Sequence, residues 1–158
     1  MQIESLLRAL CDHSRLRIMR LLASMELAVG EIVQVLAQSQ PRISRHVKIL
    51  CDAGLAERRR EGSWVYVRSR LTRAHAAEGQ DALCVAADAL LAAAERDDPA
   101  FAVHCNTDRA RLASIRSARS ARAADYFAAH AAQWDQVRDL LCDPMRVEDA
   151  LCDALHGK

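Results

Sequence analysis

Apolar residues recur at helical spacing through the first third of the chain. Leucines separated by three and four positions predict a short helix over residues 3–10. Ser14 is the expected N-cap of a second helix that runs to about residue 24. A third helix is predicted over about residues 29–37 and a fourth over about residues 40–53. Four helices with short polar connections are therefore expected before Gly54.

The fourth predicted helix combines a narrow apolar stripe with a polar, cationic remainder. Ile43, Val47 and Leu50 lie at i, i+4 and i+7, so they are expected to form one buried stripe. Ser39 is the predicted N-cap, and no acidic residue precedes Asp52. The positions expected to be exposed are Gln40, Arg42, Ser44, Arg45, His46 and Lys48.

After Gly54 the apolar period changes from helical to alternating. Residues 55–60 and 63–68 each read as a strand, and Glu61-Gly62 is a plausible two-residue turn between them. The result is a β-hairpin in which Trp64 and Tyr66 are expected to pack. Its tip carries three successive cations, Arg58, Arg59 and Arg60.

The second half of the chain is rich in alanine and reads as helix. A long helix is predicted over residues 72–96, followed by a loop or short turn over residues 100–106. Thr107 is the expected N-cap of another helix that runs to about His130, and one or two short helices follow Trp134.

These elements predict a mainly α fold with a small β-hairpin. Three helices, a tight joint, a polar and basic helix and a basic hairpin together make a winged helix-turn-helix domain, expected over residues 1–98. Residues 99–158 are expected to form a C-terminal helical extension.

Composition and charge support a nucleic-acid-binding module joined to something else. Residues 1–70 carry 12 Lys and Arg against 7 Asp and Glu, whereas residues 71–158 carry 10 against 14. The sequence has no apolar run long enough to span a bilayer and no signal-peptide pattern at Met1. A cytoplasmic protein is expected, without membrane contact.

In this fold the fourth helix enters the major groove of double-stranded DNA with its first turns facing the bases. Arginine pairs with guanine and glutamine with adenine, so Gln40, Ser44, Arg45 and His46 are the expected base readers. Arg42 and Lys48 are expected at phosphates, and the wing cations at the backbone or minor groove. The candidate DNA contacts are Ser39, Gln40, Arg42, Ser44, Arg45, His46, Lys48, Arg58, Arg59 and Arg60.

Three blocks of residues carry a family resemblance over about residues 3–95. They are the leucine-rich start with Ser14-Arg15-Leu16-Arg17-Ile18-Met19, the block Ser39-Gln40-Pro41-x-Ile43-Ser44-Arg45-His46, and Arg60-Glu61-Gly62-x-Trp64-Val65-Tyr66. Together they resemble the ArsR/SmtB family of winged-helix repressors. The resemblance implies a homodimer paired through the first and fifth helices. It also implies binding to palindromic operators, from which an effector releases the protein.

The effector is left open by the residues. Arsenite sensors of this family often carry two thiols at the third helix, and the matching positions here are Ala28 and Gly30. Cys11 and Cys51 end the first and fourth helices and could hold As(III) or Zn(II) between subunits, as other family members do with thiols elsewhere.

Cys105, next to His104, is a third candidate for a metal or thiol site. The alternative for all three cysteines is a role as small buried hydrophobic residues. Cys84, Cys142 and Cys152 are expected to be packing residues.

A second resemblance concerns the region from Ala123 to Asp135. It looks like the lead-in of SAM-dependent methyltransferases, to which some ArsR-type regulators are fused, but no glycine loop follows. No enzyme activity is therefore expected. The alternative function is the regulator domain of a longer protein whose methyltransferase part senses SAM or its product. A third hypothesis is an enzyme fragment in which the N-terminal fold is only an interaction module.

Overall fold

The computed structural model describes residues 2–71 and 82–141, and within them no side-chain account covers residue 122 or residues 131–141. The described part of the chain is mainly helical, with one small antiparallel sheet, as expected. The elements are α1 (Ile3–Leu10), α2 (His13–Leu22), β1 (Leu27–Ala28), α3 (Val29–Leu36), α4 (Gln40–Asp52), β2 (Ala56–Glu61), β3 (Trp64–Ser69), α5 (Ala82–Asp97) and α6 (Pro99–Leu141).

One apolar core joins α1–α4, the sheet, α5 and the first turns of α6. The predicted stripe of α4 is confirmed, because Ile43, Val47 and Leu50 are all essentially inaccessible to solvent. Other large side chains at its centre come from α2, β1, α3 and β3 and from the residues just before β2 and after β3. They are Ile18, Met19, Leu27, Ile32, Val35, Leu55, Val67 and Leu71.

The second helix begins one residue earlier than predicted and has a different cap. Asp12, rather than Ser14, is the N-cap, and its carboxylate accepts a hydrogen bond from the backbone N–H of Arg15 at 3.0 Å. Ser14 lies inside the helix and is buried. The Asp12 carboxylate and the first turn of α2 are therefore held together, a geometry that matters for the site below.

The sheet contains a strand that the sequence did not predict. The two-residue β1 pairs antiparallel with β3, Leu27 with Val67, and gives the strand order β1-β3-β2. The hairpin turn is also shifted by one residue. Glu61 pairs with Trp64, so Gly62-Ser63 forms the connection, and Gly62 takes the positive φ of 59° that glycine allows without steric cost.

The predicted loop over residues 100–106 is wrong, because α6 already begins at Pro99. Asp98 caps this helix and accepts from the backbone N–H of Ala100 at 2.9 Å and of Phe101 at 3.1 Å. Thr107 does not cap a helix but donates from its hydroxyl to the Val103 carbonyl one turn earlier. An aspartate followed by proline at the first helical position is a known signal for the start of a helix.

Two predictions lie partly or wholly outside the described residues. They are the N-terminal part of the predicted helix over residues 72–96 and the part of the predicted short helices that lies beyond residue 141. Within the described ranges, no helix is both long enough and apolar enough to cross a membrane.

The first compact unit of the chain runs from Met1 to Ile115, past the predicted boundary at residue 98. Inside it, Arg17 of α2 donates two hydrogen bonds to the Asp108 carboxylate of α6, at 2.7 and 2.6 Å. The Asp108 side chain is 1% exposed. Because an unpaired buried charge is costly, this ion pair fixes the first turns of α6 against α2.

We expect Asp108→Asn to lower the free energy of unfolding by about 3–5 kcal/mol, because it leaves the Arg17 guanidinium buried without its counter-charge. Urea denaturation measures the effect. Asp52→Asn is the matched control, since its partner Lys48 forms an exposed pair at 2.6 Å whose loss should cost less than about 1 kcal/mol. Equal costs for the two variants would contradict the role assigned to the buried pair.

Candidate nucleic-acid interface

Helix α4 presents a continuous polar face because its opposite face is fixed in the core. Its N-cap is Ser39, with Pro41 in the first turn, where a missing N–H costs little. No acidic residue lies in that turn. The residues that are exposed along this face are Ser39, Gln40, Arg42, Ser44, Arg45 and Lys48.

His46 does not belong to the exposed face, so its placement as a base reader needs correction. Its relative exposure is 8%, and both ring nitrogens are buried without a hydrogen-bond partner. The reason lies in the spacing: His46 is three residues after Ile43 and four before Leu50, which places it on the edge of the buried stripe. This spacing was available in the sequence.

The carboxylate that caps α2 lies beside His46. Its Nδ1 atom lies 3.7 Å from Oδ1 of Asp12. Burial lowers the pKa of His46 below its usual value; Asp12 opposes this shift, while nearby arginines of α2 and α4 reinforce it. The imidazole is therefore held in its neutral form at neutral pH.

The three wing cations occupy two faces of the hairpin. Arg58 and Arg60 lie opposite Val67 and Val65, whereas Arg59 lies opposite Tyr66, so Arg59 is on the other face. Arg58 reaches toward α4 and donates from Nη2 to the Ser44 carbonyl at 3.3 Å.

Arg59 is held by acidic and aromatic neighbours. It pairs with Glu26 at 3.2 Å and with Glu61 at 2.9 Å, and its guanidinium lies 5.4 Å from the centre of the Tyr66 ring. Of the three wing cations, Arg59 is thus held by ion pairs, whereas Arg58 and Arg60 lie on the face of the hairpin toward α4.

A groove of about 300 Å³ separates the wing from the start of α4. Gln40, Ser44 and Arg58 supply its polar lining, and Trp64 lines it from the wing. Trp64, which was expected to pack within the hairpin, is 50% exposed and borders this groove. Base-reading and backbone-binding candidates therefore border one shared groove.

The three candidate effector cysteines lie in different environments. Cys11 is exposed and ends α1, and Cys51 is half-buried in α4. Burial raises the pKa of the Cys51 thiol, although Arg58 opposes that shift. Cys105 is only 2% exposed, and burial raises the pKa of its thiol as well. Low-pKa reactivity is therefore not built into Cys51 or Cys105.

The neighbouring His104 does not share the buried environment of Cys105. It is exposed, and its ring lies 4.8 Å from that of His13 in an edge-on contact. Within the described ranges, no three His, Cys, Asp or Glu side chains are grouped so that they could hold a metal ion. Cys84 is buried, as expected of a packing residue, while Cys142 and Cys152 lie outside the described residues.

Part of this chain is similar to a known protein family. Residues 12–58, which run from the cap of α2 into β2, match the model of the arsR family of bacterial regulatory proteins. The match includes both the polar face of α4 and the first cation of the wing.

Two curated relatives of this part of the chain are named for arsenic resistance. The arsenical resistance operon repressor of Escherichia coli K12 is 44% identical over 64 residues, which cover 40% of this chain and 55% of that protein. The arsenic resistance transcriptional regulator ArsR1 of Pseudomonas putida is 45% identical over 62 residues, covering 39% and 48%. The chain thus spans about half the length of the curated relatives it matches.

A solved structure also aligns with this chain. Reduced HlyU from Vibrio cholerae aligns with a TM-score of 0.48 and 26% identity, covering 60% of this chain and 86% of that one. The names of the matched family and of the curated relatives describe regulatory proteins. Nothing in the comparisons supports the resemblance of residues 123–135 to a methyltransferase.

We expect the free energy of unfolding to fall as the pH drops through the range in which His46 takes up a proton. Burial lowers its pKa in the folded chain, so the unfolded chain binds this proton more readily. Stability is complete above about pH 6.5 and is lost as the pH falls through the lower folded pKa.

Urea titrations at several pH values measure this dependence. His46→Gln should flatten it between about pH 7 and 5, whereas His130→Gln, on an exposed part of α6, should leave it as in the parent. A parent-like slope in His46→Gln would show that His46 does not carry the effect.

Proposed function

We propose that this protein is a DNA-binding transcriptional repressor of the ArsR type that acts on operator DNA in the cytoplasm. The observation that carries the proposal is the exposed face of α4. It joins hydrogen-bonding side chains to cations and contains no carboxylate before Asp52. Such a face suits the major groove, where base edges offer donors and acceptors between two rows of phosphates.

The roles of the individual residues follow from their positions. Gln40, Ser44 and Arg45 are the base readers, since they are exposed on the first turns of α4. Arg42 and Lys48 contact phosphates from the flanks of the helix. His46 is not assigned to a base, because it is buried.

The test is fluorescence anisotropy of the full chain on DNA from its own promoter region. We expect tight, salt-sensitive binding that Arg45→Ala weakens by about 1–3 kcal/mol, with relaxed base preference at one position. Arg96→Ala removes an equally exposed arginine at the end of α5 and serves as the matched control. Absence of binding at moderate salt would overturn the proposal and favour an interaction module. Unchanged affinity in Arg45→Ala would instead show that α4 is not the reading helix.

The wing supplies sequence-independent affinity through Arg58 and Arg60. Removing both should weaken binding to all duplexes and reduce the slope of log affinity against log salt by about 2, because each phosphate contact releases about one counter-ion. Arg59→Ala is the matched control and should change the slope less, since Arg59 is paired with Glu26 and Glu61. An unchanged slope in the double variant would mean that the wing does not touch the backbone.

We further propose that the repressor is a homodimer that pairs through α1 and α5 on a palindromic operator. An apolar groove of about 620 Å³ is lined by leucines of α1, α2 and α5, among them Leu7 and Leu90. Leu7 is 54% and Leu90 56% exposed. Burying such side chains against a second copy removes apolar surface from water at about 25 cal/mol per Å².

Leu90→Asp should shift the protein from dimer to monomer, because a carboxylate in an apolar interface loses its hydration. Light scattering coupled to size-exclusion chromatography measures the mass. Val103→Asp changes a similarly exposed apolar residue of α6 and should leave the mass unchanged. If only Val103→Asp dissociated the assembly, the interface would have to lie on α6.

For the effector we propose a thiol-directed agent, such as arsenite, Zn(II) or an oxidant, that acts through Cys11. Cys11 is exposed and lines the groove assigned to the dimer interface. Since the described residues of one protomer offer no three-ligand group, a metal or metalloid would take thiolates from two protomers. Cys51 is the candidate second ligand.

The anisotropy assay repeated with arsenite, Zn(II) and peroxide tests this effector proposal. We expect one of them to release the DNA, and Cys11→Ser to abolish release while leaving DNA affinity as in the parent. Cys84→Ser controls for loss of a buried thiol. Release that persists in Cys11→Ser, or no release by any of the three agents, would overturn the thiol mechanism without touching DNA binding.

A further inference from the structure

A second cavity lies on the opposite side of α4 from the wing groove. Its volume is about 620 Å³, and it is formed between the start of α2 and the first turns of α4. Three arginines, one histidine and one carboxylate line it. They are Asp12, Arg15, Arg42, Arg45 and His46. We refer to it as the α2–α4 pocket.

The positive charge of this pocket is only partly neutralised. Arg15 is committed to the end of α1, where it donates to the carbonyls of Ala9 and Arg8. Among the described residues, no carboxylate lies within ion-pair distance of Arg42 or Arg45, both of which are exposed. The N-terminus of the 13-residue α4 adds the positive end of its dipole.

His46 is an independent observation that points to a ligand at this pocket. Its side chain is nine-tenths buried in the pocket wall, with neither ring nitrogen hydrogen-bonded. Buried polar groups are ordinarily paired, because an unmade hydrogen bond costs free energy. A second proton on the ring would allow Nδ1, 3.7 Å from Asp12, to pair with that carboxylate.

We propose that the α2–α4 pocket, which Arg45 also lines, binds a tetrahedral oxyanion of the phosphate class held by Arg42, while His46 takes up a proton and pairs with Asp12. Proton uptake neutralises the Asp12 carboxylate, which would otherwise repel the anion. The anion in turn offsets the added charge near the imidazolium. Proton uptake by His46 and binding of the oxyanion therefore strengthen each other.

The charges that face His46 come from two elements. Asp12 and Arg15 belong to the start of α2, and Arg42 and Arg45 to its own helix. With the arginines unpaired, they disfavour the imidazolium; with an anion between them, that repulsion is screened. The affinity for the oxyanion should consequently fall as the pH rises through the range in which His46 loses its proton, by up to about tenfold per pH unit.

Two sources can supply this chemistry: a free inorganic oxyanion and a phosphate of the DNA backbone. Binding of a phosphate of the DNA backbone rests on the proposed function, whereas binding of a free inorganic oxyanion does not. The proposal extends that function, because binding of one phosphate of the DNA backbone is coupled to proton uptake by His46.

Histidine NMR titrations of the full chain test the proposal, first in phosphate-free buffer, then with inorganic phosphate, and then with a promoter duplex. We expect either ligand to raise the titration midpoint of His46 by about one pH unit. Arg42→Gln should abolish the phosphate effect. Arg96→Gln changes an exposed arginine at the end of α5, outside the pocket, and should retain it.

The outcomes separate the two proposals. If phosphate shifts His46 but no duplex binds, the oxyanion site stands and the repressor function fails. If the duplex binds by anisotropy while neither ligand shifts His46, the repressor stands and the site proposal is overturned. A shift that survives in Arg42→Gln would likewise overturn it. Since Arg42 is exposed, this variant tests the pocket without disturbing the core, and circular dichroism confirms its fold.

Discussion

The packing of the apolar stripe of α4 is the constraint on which the rest of the structure depends. Ile43, Val47 and Leu50 lock one side of a single helix into the core. A helix held in this way cannot rotate, so its polar side must stay at the surface whatever lies there. The packing of the core thus determines which side of α4 is exposed. The core does not constrain the identity of the residues on that side, so they can be suited to recognition.

The same logic extends to the two flanks of α4. On one side the hairpin supplies Arg58, whose guanidinium meets the Ser44 carbonyl, and on the other the cap of α2 supplies Asp12. Both neighbours are positioned by short-range backbone geometry, namely strand register and helix capping. Two pockets of different character result, one lined by a tryptophan and the other by cations and a histidine.

Sequence periodicity predicted most of the helices because their burial pattern is strong. The stripe of α4 and the limits of α1 could be read directly, and the polar face of α4 followed from them. The predictions that were wrong concern positions where two local sequence signals compete. Asp12 and Ser14 are both good caps, and only the folded turn decides between them. Asp98-Pro99 can end one helix or begin the next, and here it does both. The strand β1 is two residues long and exists only through its pairing with β3. The burial of His46 could have been inferred from its spacing, but its chemical type suggested an exposed site.

The Arg17–Asp108 pair has a consequence for how this protein can change over generations. Substituting either residue alone strands a charge in the interior, whereas replacing both with apolar residues of similar volume can be nearly neutral. Substitutions at these two positions, which are 91 residues apart in the chain, are therefore coupled. Descendants of this sequence should either keep both residues or lose them together, and such paired change would mark where the first turns of α6 are anchored to α2.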